Sequence, residues 1–212
     1  MTIQELKILV EKGEHQTMEF KKKIAHPEKV VKEMVAFANS QGGILIVGAD
    51  DDGTLSGQRF IEEEVFTLDN AIQKYIRPSL VYTSEIVALN AKKGLAIYQI
   101  PSGQRKPYHV IDGDKHKKAY FRVQDRSIQA SKELVEIIRR DKSDKGWKFQ
   151  YGDKEQKLMQ YLNAHGYITL AEFRKIASIN RFKASNTLVR LVLANVLRIE
   201  PKEDGDKYFA VE

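Results

Sequence analysis

Three acidic side chains near the start of the chain, Glu14, Glu19 and Asp51, are of the type and spacing that could do chemistry together. If they converge in the fold, their charges repel unless a cation neutralises them. An all-oxygen site of that kind suits Mg²⁺ or Mn²⁺. Such an ion activates water and stabilises a phosphoryl transition state. Glu14, Glu19 and Asp51 are therefore the candidate metal ligands and, in a nuclease, the candidate catalytic trio. Cations crowd the same part of the sequence: Lys21, Lys23, Arg105, Lys106 and Arg122 are the candidate contacts to a phosphodiester backbone. The plainer reading is that Glu19 pairs with a nearby lysine, the aspartates belong to a turn, and lysines 21 to 23 mark an exposed strand edge.

A second cluster lies near the C-terminus. From Phe173 to Ile199 the chain carries Arg174, Lys175, Arg181, Lys183, Arg190 and Arg198 and no acidic residue. A face that is merely soluble usually mixes both signs. Arg181, Lys183, Ser185, Asn186 and Arg190 fall on one helical pattern. The cations suit phosphates, and serine and asparagine suit base edges. A solvated basic face used for protein contacts is the competing explanation.

The bulk composition narrows the choice. The chain has 212 residues and a net charge of +6, and 42% of its residues are hydrophobic. With no cysteine there is no disulfide framework, thiol chemistry or cysteine-based zinc site, and a reducing cytoplasm is the expected setting. The longest uncharged run, 34–49, is too short and polar to span a bilayer, so no membrane contact is expected. The N-terminus does not read as a secretory signal. No P-loop, G-x-S-x-G or paired-histidine motif occurs.

These residues need elements to position them. Apolar spacing predicts helices over 3–12, 28–40, 61–76 and 131–140, with Gly42-Gly43 breaking the second. Strands are predicted over 17–23, 44–49 and 119–123, with a hairpin formed by 80–89 and 95–100. After the polar segment 141–152, which contains Trp147, Phe149 and Tyr151, three helical patterns follow at 154–164, 170–177 and 182–194. Thr169 and Glu172 form a capping-box pattern, and a terminal hairpin turns at Asp204-Gly205. The expected class is α/β (α+β) with a mixed sheet. The expected domains are 1–140, a linker 141–152, and 153–212.

Glu14-x4-Glu19-Phe20-Lys21, Ala36-Phe37-Ala38-Asn39-Ser40-Gln41-Gly42-Gly43 and Ile46-Val47-Gly48-Ala49-Asp50-Asp51-Asp52-Gly53 resemble the Schlafen AlbA-like domain family. Arg77-Pro78, Gln104-Arg105-Lys106-Pro107-Tyr108 and Tyr120-Phe121-Arg122-Val123 continue the resemblance in order. It implies a nucleic-acid-binding domain, and in the ribonuclease branch a catalytic role for Glu14, Glu19 and Asp51. The C-terminal pattern resembles a winged helix-turn-helix, which implies a DNA-binding transcriptional regulator. A metal-dependent endonuclease acting on RNA or DNA is the alternative. Schlafen nucleases enclose nucleic acid with two lobes and this chain has one, so a homodimer is expected.

Overall fold

The computed structural model describes residues 1–111, 113, 116–141 and 151–211. They form two compact units, which divide after Gln129. Lys115 and the aromatic residues Trp147 and Phe149 lie outside the described residues.

The first unit is an α+β domain on a four-stranded mixed sheet. Its elements are α1 (Ile3–Val10), β1 (Met18–Lys21), α2 (Pro27–Asn39), β2 (Gly42–Val47), α3 (Ile61–Tyr75), β3 (Ile76–Arg77), β4 (Thr83–Asn90) and β5 (Lys93–Pro101). Then come β6 (His109–Ile111), β7 (Lys117–Lys118), β8 (Tyr120–Val123) and β9 (Arg126–Gln129). The main sheet runs β1-β2-β5-β4; β1 is parallel to β2 and the other pairs are antiparallel. Side chains alternate along β1. Met18 and Phe20 pack under α1 with Ile46 and Ile97, while Glu19 points to the opposite face, where α2 and α3 bury Leu45, Val47 and Tyr98. The short strands β3, β6 and β7 form a second small sheet, and β8 pairs with β9.

Gly48 lets β2 leave the sheet. Its φ is +100°, and a Cβ there would stand 2.8 Å from the Leu95 side chain and 3.3 Å from the Gly57 Cα. The close approach lets the Gly57 N–H donate to the Gly48 carbonyl at 2.8 Å, which closes the acidic loop between them.

The second unit comprises α4 (Lys132–Arg140), α5 (Asp153–His165), β10 (Ile168–Thr169), α6 (Leu170–Ala177), α7 (Arg181–Leu193), β11 (Leu197–Glu200) and β12 (Lys207–Ala210). Its three-stranded antiparallel sheet has the order β10-β12-β11. Leu158, Leu162, Phe173, Leu188, Leu191 and Tyr208 form its core. Thr169 and Glu172 make the expected capping box at the start of α6, and Asn180 caps α7 through the Lys183 N–H.

Helix α4, expected to end the first domain, packs instead on α7. Its buried side, Leu134 and Ile137, supplies the reason, since burying two such side chains contributes roughly 1.5–3 kcal/mol each. Polar contacts fix the docking. The Ser185 hydroxyl donates to Glu133 at 2.6 Å, and Ser131 bonds Asp206.

Candidate nucleic-acid interface

The parallel β1–β2 pair brings the three acidic residues into one neighbourhood. Glu14 lies in the turn before β1 and accepts the Phe20 N–H at 2.8 Å. Burial pushes its carboxyl up, and the neighbouring Glu19 and Asp51 carboxylates add to the rise. Asp51 stands exposed on the loop after β2. The trio is thus close enough to interact through charge.

It does not fit a divalent cation as it stands. One Glu19 oxygen is taken by the Lys21 ammonium and the other by the Arg122 guanidinium at 2.7 Å. Two cations already supply the positive charge that a metal would bring. Among the described residues no group of three histidine, cysteine, aspartate or glutamate side chains is arranged to hold a metal ion.

Arg122 is the main departure from the sequence-based expectation. It was a candidate phosphate contact, yet its side chain is fully buried and is committed inside the domain. Besides Glu19, it donates to Glu33 at 2.8 Å and to the backbone carbonyls of His15 and Met18 at 3.1 and 3.0 Å. Its guanidinium lies 4.9 Å from the centre of the Phe37 ring. The physical reason is alternation on β8, which turns Tyr120 and Arg122 inward toward α2. Glu33, on α2, did not stand out in the sequence as a site residue. Its carboxyl is raised, because burial and the Glu19 charge outweigh the pull of Ser127 and Arg122.

Other family-pattern residues also turn out to hold the fold. The Asn39 amide donates to the Tyr108 and Tyr120 carbonyls, both at 2.9 Å, and its oxygen accepts the Tyr108 N–H at 2.7 Å. The Ser40 hydroxyl accepts the Arg122 N–H at 2.9 Å. Lys106, a candidate phosphate contact, donates to the Ser40 carbonyl at 2.6 Å. Two separated sequence pieces, 104–108 and 120–123, are therefore stitched to the end of α2.

Cations that do face solvent lie elsewhere on the first unit. Lys23 and Arg105 are exposed, while Lys21 is half-buried against Glu19. Lys22 pairs with Asp50 at 2.8 Å and shares a cleft with Arg59 and Lys93. Arg59 and Lys93 escaped the sequence reading because they reach Lys22 only through the fold, Arg59 from the segment after β2 and Lys93 from the start of β5.

On the second unit, Arg181, Lys183 and Arg190 are exposed and Asn186 is half-exposed. Lys183, Asn186 and Arg190 follow one strip of α7 at i, i+3 and i+7. Ser185 does not share it. Its hydroxyl is turned to Glu133 of α4, so the expected base contact is corrected to an internal one.

A mixed-sheet α+β domain with this arrangement defines the class, and the match with known proteins supplies the family. Residues 14–131, more than half of the chain, match the Schlafen, AlbA_2 family, and the chain belongs to it. The family is generally nucleic-acid-binding. No curated protein matches the chain. Among solved structures, the DIP2311 protein from Corynebacterium diphtheriae is similar over 62% of this chain and 29% of its own, at 17% identity and a TM-score of 0.42. The chain thus spans less than a third of that structure's length. No helix among the described residues is long and apolar enough to cross a membrane.

Proposed function

We propose that this protein is a DNA-binding transcriptional regulator whose second unit reads duplex DNA as a winged helix-turn-helix. The observation that carries the reading is the strip Lys183, Asn186 and Arg190 on α7, a helix with no acidic residue and with α4 covering a different flank. The order helix, short strand, two helices, hairpin is the one such a module requires, with α7 entering the major groove. Lys183 and Arg190 neutralise phosphates, and Asn186 is placed for a base edge. In this reading Lys23, Arg59 and Arg105 of the first unit add backbone contacts, and pairing of two copies matches a two-fold operator. The setting consistent with it is the cytoplasm.

The test is a duplex-binding titration across salt. Lys183→Ala and Arg190→Ala should each weaken affinity and lower the log–log salt slope by about 0.9. Unchanged slopes in both variants overturn the assignment. A single species of one-chain mass in light scattering at high concentration overturns the homodimer.

A metal-dependent endonuclease is the second reading, favoured by the nearness of Glu19 and Asp51 to Glu14, whose carboxyl they help to raise. It requires Glu19 to be released from Lys21 and Arg122. Mn²⁺- or Mg²⁺-dependent cleavage of RNA or DNA that disappears in Asp51→Asn would establish it. No cleavage of either substrate with either metal removes it.

A further inference from the structure

Within the second unit, a cleft of about 310 Å³ opens between α4, the start of α6, the start of α7 and the terminal hairpin. That volume is at the small end of the range of small-molecule sites. Its inner side carries two carboxylates, Glu133 and Asp206. Glu133 is buried, and Asp206 is half-buried. Each is bonded by a serine hydroxyl, Ser185 to Glu133 and Ser131 to Asp206. Among the described residues no cation pairs with either one. Burial holds the Asp206 carboxyl above the usual range, and the Glu133 charge adds to this.

Tyr208 supplies an independent observation. It lines the same cleft, is 1% exposed, and its buried hydroxyl has no hydrogen-bond partner. Glu133 and Asp206 line the cleft with it, and both charges act on the hydroxyl. A buried hydroxyl without a partner is destabilising, and a polar ligand would supply the missing hydrogen bond. The outer side of the cleft has the opposite charge. Arg174 and Arg181 are exposed there, and among the described residues no acidic side chain forms an ion pair with either.

We propose that this cleft binds a small zwitterion of the amino-acid class, its ammonium between Glu133 and Asp206 and its carboxylate on Arg174 and Arg181. The charge order selects this class. A simple amine would meet the two arginines unneutralised, and inorganic phosphate would meet the two carboxylates. A molecule with both charges satisfies both sides and leaves its ammonium within the reach of Tyr208. Arg181 is also a candidate phosphate contact at the start of α7, so an occupied cleft withdraws it from DNA. That coupling rests on the duplex-binding reading; the binding itself does not.

The experiment is calorimetric titration of the full chain with the twenty common L-amino acids, with putrescine and inorganic phosphate as comparison probes. At least one amino acid is expected to bind. Its N-acetyl derivative and its decarboxylated amine should each bind at least about tenfold more weakly to the same protein. Arg174→Gln, at an exposed position that does not threaten folding, should weaken binding by a similar factor, and so should the near-isosteric Asp206→Asn. No binding by any amino acid, binding by putrescine or phosphate instead, or unchanged binding in Arg174→Gln overturns the proposal. Calorimetric binding with no effect on duplex affinity overturns only the coupling to DNA.

Discussion

Glu19 on β1 and Arg122 on β8 meet at 2.7 Å, with both side chains buried. The pair joins the first strand to the β8–β9 hairpin and changes the meaning of two residues that were candidates for function. Glu19 is neutralised from inside the domain. Arg122 is unavailable to any ligand outside it.

Removing the arginine should therefore damage stability far more than any surface contact. Arg122→Met leaves Glu19 with Lys21 alone and Glu33 with the Ser127 hydroxyl. Breaking a buried pair by deleting one partner costs about 3–5 kcal/mol. Arg122→Lys should not restore it, because one ammonium cannot reach Glu19, Glu33 and two carbonyls together. Urea unfolding of the variants measures this, and a loss below about 1 kcal/mol would contradict the assignment.

Asn39 should behave similarly although it is uncharged. Its side chain satisfies three backbone groups in two distant segments. Asn39→Ala leaves a buried N–H and two buried carbonyls without partners, at about 1–3 kcal/mol for each group that water cannot reach. Hydrogen exchange should report the loss first at Tyr108 and along β8. Protection there equal to wild type would show that the clamp is dispensable.

Ser185 and Arg190 separate folding from binding on one helix. Ser185→Ala removes the hydroxyl bonded to the buried Glu133, so it should lower stability by about 1.5–3 kcal/mol, as for hydrogen bonds to charged groups. Its duplex affinity should match wild type. Arg190→Ala should do the reverse, since Arg190 is exposed and forms no ion pair among the described residues. Thermal denaturation and duplex titration of both variants would reveal a swap of these effects, and that swap would refute the orientation of α7.

These contrasts show which parts of the sequence were readable. The apolar run of β2, the spacing of α2 and the capping box at Thr169 depend on near neighbours, and they mark their elements correctly. The fate of Arg122 depends on β8 lying beside α2, which no local pattern reveals. Ser185 looks like an outward residue until α4 is docked on α7. The family motif was legible as a motif, but Asn39, Ser40 and Lys106 within it serve the fold. Strands β3, β6 and β7, two or three residues each, are too short to carry a period.

His109 offers a check by pH. It lies on β6 opposite Arg77 of β3, with Lys117 on the adjoining strand. Burial lowers its pKa first, and the Lys117 charge adds to this. The folded state therefore takes up its proton at lower pH than the unfolded chain does. Above the ordinary histidine value, near 6.5, both states are neutral and His109 adds no pH dependence. As pH falls through that value toward the lowered one, the unfolded chain is protonated first and stability drops. His109→Gln should flatten the stability profile between about pH 7 and 5.5, a window above the ordinary range of carboxyl titration. Unfolding midpoints of wild type and variant, measured across this window, test the effect. Parallel profiles would mean that His109 titrates as freely in the fold as in the unfolded chain.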